Sequence, residues 1–156
     1  EAGVNGVILV DLPPEEEPET WAALDRAGID TITLVAPTTG EARLAAIAAR
    51  ARGFLYVVAR LGVTGQGGGD AGVMELLDRC GRATRLPRAL GFGMTPDTDL
   101  APYREHAEGV VAGSSLLEPL LASWTRDGEG GAAARETALR DLARRFRANV
   151  SGWRSA

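Results

Sequence analysis

Two glycine-bearing segments have the residue types that hold an anion. Gly91-Phe92-Gly93-Met94-Thr95-Pro96 and Gly113-Ser114-Ser115 each follow a short apolar run. Glycines let backbone N–H groups come close to a ligand, and a helix starting just beyond them aims its positive end at negative charge. Gly113 to Ser115, running into Leu116, has that form. Either turn alone is what strand ends show for steric reasons. Both together, on consecutive final strands, point to a phosphate site. A third stretch follows Arg60 and runs Leu61-Gly62-Val63-Thr64-Gly65-Gln66-Gly67-Gly68-Gly69. It is too glycine-rich to hold one shape unaided, and reads either as a lid that excludes water over bound substrate or as a plain surface loop.

Other chemistries are excluded by composition. All 17 basic residues are arginine, so no lysine is available for a Schiff base. Cys80, the single cysteine, can form neither an internal disulfide nor a multi-cysteine metal site, and reads as a small core residue. A net charge of −4 disfavours nucleic acid as a partner. No apolar run approaches the ~20 residues of a membrane span and no signal peptide opens the chain, so a cytoplasmic location is expected. Asp11, at the end of the first apolar run, has the chemistry of a base, although supporting the turn before Pro13-Pro14 suits it better. His106 precedes the last strand, on the end away from the glycine turns, and is expected to have no catalytic role.

The elements that would position these turns are legible in the apolar pattern. Gly6 to Val10, Thr31 to Val35, Phe54 to Val58, Ala89 to Phe92 and Gly109 to Ala112 are continuously apolar or β-branched, as strands buried in a parallel sheet are. Between them, Trp21/Leu24/Ala27, Leu44/Ile47/Ala51 and Val73/Leu76/Leu77 mark helix faces, with Cys80 in a helix over Glu75 to Arg82. Strand starts recur every ~20 to 35 residues, the length of a βα unit. Helix starts are expected at Pro14 with Glu15 to Glu17, at Thr38 with Glu41, at Thr95-Pro96-Asp97, and at Ser115 with Glu118. The fold class is therefore α/β, an incomplete (β/α)8 TIM barrel of about five parallel strands with crossover helices. At 156 residues the chain is shorter than the about 250 of a whole barrel.

An internal echo bears on this. Glu1-Ala2-Gly3-Val4-Asn5-Gly6-Val7-Ile8-Leu9-Val10 matches Arg26-Ala27-Gly28-Ile29-Asp30-Thr31-Ile32-Thr33-Leu34-Val35. The second copy is a helix end, a glycine cap and a strand, and the first has the cap without its helix. The chain is thus expected to open in the middle of a repeat. Residues 1–126 form the barrel portion, 127–134 a Gly/Ala-rich linker, and 135–156 a C-terminal helix and tail with a solvated arginine face.

The residues resemble the alpha subunit of tryptophan synthase. The likeness runs from Glu1 to about Pro119 and rests on five segments in order. These are Gly6-Val7-Ile8-Leu9-Val10-Asp11-Leu12-Pro13, Leu34-Val35-Ala36-Pro37-Thr38-Thr39, Arg60-Leu61-Gly62-Val63-Thr64-Gly65, Gly91-Phe92-Gly93 and Ala112-Gly113-Ser114. The resemblance makes the visible strands the fourth to eighth of the barrel. It implies a lyase of tryptophan biosynthesis that cleaves indole-3-glycerol phosphate to indole and glyceraldehyde 3-phosphate by a retro-aldol step. A beta subunit carrying pyridoxal phosphate would then receive the indole. By position, Gly65, Phe92, Gly93, Gly113 and Ser114 would hold the substrate phosphate. Tyr56 and Thr64 would lie beside the substrate, Ile8, Val10, Leu34 and Val111 would wall the indole pocket, and Pro13 would face the beta subunit.

That reaction needs a group to protonate the indole ring and another to deprotonate the glycerol hydroxyl. The resemblance assigns these to two carboxylates outside this chain, so no catalytic residue is assigned within it. Isolated, with two unpaired strand edges and an uncovered barrel interior, the chain is expected to associate, bind phosphate poorly and catalyse little or nothing. Three departures stand out: the lid through Gly67-Gly68-Gly69-Asp70 is short and glycine-rich, Met94 replaces a β-branched residue, and the tail beyond Ser123 exceeds what the family requires. Two other readings stay open. One is another phosphate-binding barrel enzyme, an isomerase or epimerase, against which the Gly-Val-Thr-Gly lid argues. The other is a non-catalytic module that binds a phosphate ligand or a subunit.

Overall fold

All five apolar runs become strands, and all five pair in parallel. The computed structural model describes residues 3–10, 12–59, 69–91, 93–125 and 131–151. Its strands are β1 (Gly6–Ile8), β2 (Asp30–Val35), β3 (Leu55–Val58), β4 (Arg88–Gly91) and β5 (Gly109–Val111), in spatial order β1-β2-β3-β4-β5. The helices are α1 (Pro18–Arg26), α2 (Glu41–Arg50), α3 (Gly69–Ala83), α4 (Ser114–Thr125) and α5 (Gly131–Asn149). Sequential parallel neighbours require a crossover between each pair, and α1, α2 and α3 supply the first three. A 3₁₀ turn, Ala101–Tyr103, lies in the fourth.

The sheet has one covered face and one open face. Leu55 and Val57 are 0% exposed, while Tyr56 and Val58 beside them are only half-buried. The covered side joins Val35, Leu55, Val57 and Leu90 to Leu44 and Ile47 of α2 and to Val73, Leu76, Leu77 and Cys80 of α3. Each fully buried side chain of this size contributes about 1.5–3 kcal/mol. Cys80 is the core residue expected, and burial pushes its thiol pKa up. On the opposite side, registers align Leu34 with Tyr56 and Ile8 with Ile32. Ile8 is 42% exposed there, because among the described residues nothing covers this side at the β1 edge. The arrangement is the half-barrel expected of the strand pattern.

The echo holds in three dimensions. Gly3 precedes β1 with φ 70° and Gly28 precedes β2 with φ 69°, the same left-handed backbone in both copies. At the N-terminal end of the sheet, Arg88 and Glu108 tie β4 to the entry of β5. The Arg88 guanidinium donates to both carboxylate oxygens, at 2.5 and 3.1 Å, and its backbone N–H donates to Glu108 Oε2 at 2.7 Å. Burial alone would push the Glu108 carboxyl up, but these bonds from Arg88 outweigh it and hold the pKa below the ordinary carboxylate value. His106, on the same end, contacts Asp78 of α3 through Nδ1 at 2.7 Å.

Several local expectations are corrected. Pro14 to Glu16 form a turn in which Glu16 and Glu17 N–H donate to the Pro13 carbonyl, and the helix begins four residues later at Pro18. Gly40, not Thr38, occupies the N-cap of α2, while Thr39 Oγ1 accepts from Ala36 N–H at 3.0 Å and closes a turn. Thr95-Pro96-Asp97 starts no helix, because Thr98 Oγ1 takes the Thr95 N–H and Thr98 N–H returns to the Thr95 carbonyl. Ser115 lies inside α4 rather than at its cap. Residues 131–134, expected in the linker, are the first turn of α5, consistent with the helix propensity of Ala132 to Ala134. The arginine face of α5 is solvated as expected, with Arg140–Glu136 and Arg144–Asp141 pairs that are largely exposed.

Candidate phosphate site

The turns after β4 and β5 meet. A cavity of about 380 Å³ at the C-terminal ends of the strands is lined by Gly93, Met94 and Thr95 from the first turn and by Gly113, Ser114 and Ser115 from the second. Tyr56 and Val111 close it on the sheet side, and Glu118 stands at the α4 side. Among the described residues the site is thus bounded by backbone turns, hydroxyls, one ring and one carboxylate.

Each component has a local cause. Gly93 has φ 71°, a left-handed conformation that costs other L-residues about 1–2 kcal/mol, and it turns the chain sharply out of β4. Gly91 serves by its lack of a side chain: a Cβ there would lie 2.4 Å from Cζ and Oη of Tyr56. The Tyr56 ring therefore crosses β4 on the open side of the sheet and reaches the cavity. Gly113 opens α4, and its carbonyl accepts from Leu116 and Leu117 N–H at 2.9 and 3.1 Å. The amides of Ser114 and Ser115, in the first helical turn, have no carbonyl one turn behind them and face the N-terminal end of the helix dipole. Ser115 Oγ donates to the Met94 carbonyl, so the two turns are joined directly.

Five of the expected site residues fall on this cavity or its walls: Gly93, Gly113, Ser114, Tyr56 and Val111. Leu34 lies beside Tyr56 in the sheet but does not line the cavity, and Ile8 and Val10 are exposed at the β1 edge, 42% and 68%. Pro13 is half-buried, its carbonyl occupied by the turn at Glu16 and Glu17. Asp11, Thr64, Gly65 and Phe92, with the rest of the lid from Arg60 to Gly68, lie outside the described residues. Met94, Thr95 and Ser115, which lie within the two expected turns without having been assigned a role there, also line the cavity, as does Glu118, which was not anticipated. For Glu118 a signal existed, since it follows Ser114 at i+4 on the same helix face. His106 lies at the opposite end of the strands, where no role in this cavity is open to it. Among the described residues, no cluster of three or more His, Cys, Asp or Glu could hold a metal ion, and no helix is long and apolar enough to cross a membrane.

The family model for the tryptophan synthase alpha chain matches residues 1–147. Its reach through Arg147 corrects the expectation that the likeness ends near Pro119, and takes in most of the tail beyond Ser123, expected to exceed what the family requires. The chain is 43% identical over 130 residues to the tryptophan synthase alpha chain of Novosphingobium aromaticivorans, covering 83% of this chain and 48% of that protein. It is 44% identical over 117 residues to that of Desulfosudis oleivorans, covering 74% and 44%. Among solved structures, the Legionella pneumophila tryptophan synthase alpha chain superposes with a TM-score of 0.77 at 29% identity, covering 99% of this chain and 55% of that one. A mutant tryptophan synthase alpha-subunit from the hyperthermophile Pyrococcus furiosus gives 0.71 at 32% identity, covering 94% and 56%. The chain spans about half the length of the curated relatives it matches. With the half-barrel, the paired glycine turns and a family match over nearly its whole length, this chain belongs to the tryptophan synthase alpha chain family.

Proposed function

We propose that this chain is the phosphate-gripping part of a lyase that cleaves indole-3-glycerol phosphate to indole and glyceraldehyde 3-phosphate in tryptophan biosynthesis. The observation that carries the reading is the cavity shared by the Gly93 turn and the N-terminus of α4. There the Ser114 and Ser115 amides and the α4 dipole would receive the phosphate, with the Ser114 and Thr95 hydroxyls at hand as further donors. Tyr56 and Val111 would bound the substrate on the sheet side, and the open strand face carrying Leu34 and Ile8 would accept the indole end. The acid and base would be carboxylates outside the chain, acting on a substrate that this half anchors by its phosphate. On the same reading the product indole passes to a beta subunit holding pyridoxal phosphate, Pro13 contributes to that contact, and the location is cytoplasmic.

The test uses proline as an amide eraser. Ser114 is the first residue of α4, where proline fits a helix without breaking it but removes an N–H. In the protein carrying this chain together with the strands its relatives add, Ser114→Pro is expected to raise KM for indole-3-glycerol phosphate at least about tenfold above that of Ser114→Ala, which removes the hydroxyl alone, the equivalent of one charge-assisted hydrogen bond of about 1.5–3 kcal/mol. Indole release with an unchanged KM in that variant refutes the phosphate assignment. Turnover of a sugar phosphate in place of the indolyl substrate would move the protein to the isomerase or epimerase reading.

A further inference from the structure

The turn after β4 is held from two sides, and one of its anchors comes from the far end of the chain. Asn149, the last residue of α5, uses both hydrogens of its side-chain amide: Nδ2 donates to the Pro96 carbonyl at 3.0 Å and to the Thr98 carbonyl at 2.8 Å. Those two carbonyls flank Asp97, whose carboxylate oxygens each accept from Arg145 Nη2 at 2.8 Å. Arg104 Nη2 reaches the Asn149 carbonyl at 3.4 Å, and Val150 just beyond packs against the hydrophobic core, fixing the end of α5 in place.

The bonds continue from Asn149 to the cavity. Thr98, gripped through its carbonyl, accepts the Thr95 N–H on its Oγ1 at 2.9 Å and shares a hydroxyl contact with Thr95 Oγ1 at 3.1 Å. Thr95 lines the cavity beside Gly93 and Met94. On the other flank, Ser115 holds the Met94 carbonyl. With one end of the turn fixed by α4 and the other by Asn149, the rim cannot move without breaking a bond to a helix. The Arg145–Asp97 pair is exposed, 57% and 79%, and contributes little by itself. The half-buried amide of Asn149 is the effective tie.

We infer that Asn149 is a positioning residue: through Pro96 and Thr98 it holds Thr95 and the Gly93 turn in the geometry that receives an anion, so that the C-terminal helix sets the affinity of the site. The inference rests on the phosphate reading above. Its test is made in the protein carrying this chain together with the strands its relatives add, and compares the parent with Asn149→Leu, which keeps size but removes both donors, Asn149→Gln, which keeps the amide on a longer arm, and Arg145→Ala. Inorganic phosphate is titrated by NMR at the Ser114 and Ser115 amides, and hydrogen exchange is followed at Thr95 and Thr98. The expected result is a five- to tenfold weaker phosphate affinity and faster exchange at both threonines in Asn149→Leu, partial recovery of both in Asn149→Gln, and values near those of the parent in Arg145→Ala. Parent-like affinity and exchange in Asn149→Leu would overturn the inference. Faster exchange with unchanged affinity would overturn it as well, since the tie would then be structural only. A parent protein, with those added strands, whose Ser114 and Ser115 amides ignore phosphate would instead bring down the phosphate reading, a failure recognisable because it needs no variant. Should Asn149→Leu not fold, Asn149→Asp decides, since its carboxylate has the same shape but no donor: affinity and exchange like the parent's in that variant would refute the tie.

Discussion

Gly91 offers the sharpest test of how the cavity is built, because adding a methyl group there reverses the usual sign of the substitution. In an ordinary strand, alanine is better than glycine by roughly 0.5–1 kcal/mol, since glycine loses more backbone freedom on folding. Here the new Cβ would lie 2.4 Å from Tyr56 Cζ and Oη and 2.5 Å from Cε1. Carbon contacts are favourable only near 3.5–4.0 Å, so the ring must retreat by roughly an ångström or more. The colliding atoms are the far end of a side chain on the open face of the sheet, and the ring can escape by twisting off its rotamer at about 0.5–1.5 kcal/mol while losing its packing over β4. Gly91→Ala should therefore destabilise the chain by about 1–2 kcal/mol in urea denaturation. In a Tyr56→Ala background the obstruction is gone, and the same substitution should be neutral or stabilising by about 0.5 kcal/mol. The coupling between the two positions, about 1–2.5 kcal/mol, is the quantity to measure, with Tyr56 ring resonances reporting the displacement. Additive effects of the two substitutions would show that the ring does not lie over Gly91.

Other consequences are independent of that one. Leu55→Ala, at a side chain 0% exposed beneath α3, should cost about 3 kcal/mol by chemical denaturation, whereas Leu117→Ala, 56% exposed on α4, should stay within about 0.5 kcal/mol. Glu108 carries a pH signature: its folded pKa lies below the ordinary 4.5, so its stabilisation is complete above that value and fades as the pH falls through the lower folded one. Glu108→Gln should cost about 1–3 kcal/mol at neutral pH and flatten the acid limb of the stability profile, and an unchanged profile would contradict the Arg88 pairing. Glu118 brings negative charge to the cavity wall, so Glu118→Gln should raise inorganic phosphate affinity about two- to fivefold, more at low salt; unchanged or weaker binding in a calorimetric titration would place the anion elsewhere.

The strands were legible in the sequence because burial on a parallel sheet leaves apolar runs such as Thr31 to Val35 and Leu55 to Val58 with few competing readings. Helix starts were less so, because Ser, Thr and Asp bond the backbone in caps and in free turns alike. Thr39 and Thr98 both make such bonds, and neither begins a helix. The glycine turns were visible as residue types, but their convergence depends on two strand ends lying side by side, which the β4–β5 register provides and composition does not. The same limit left Thr95 and Met94, though inside the first turn, without an assigned role, since they reach the cavity through the turn of the chain at Gly93. The bonds from Asn149 to Pro96 and Thr98 span separations of 53 and 51 positions in sequence, and have no local signature at all.

An anion held between the Gly93 turn and the start of α4 is the claim on which the functional reading depends. The most direct measurement is an amide-resolved NMR titration with glycerol 3-phosphate of the protein carrying this chain together with the strands its relatives add. Saturable shifts are expected, concentrated at Gly93, Gly113, Ser114 and Ser115, with His106 and Asp78 at the other end of the strands silent. Shifts centred on the His106 end, or none at the four named amides at millimolar ligand, would contradict it.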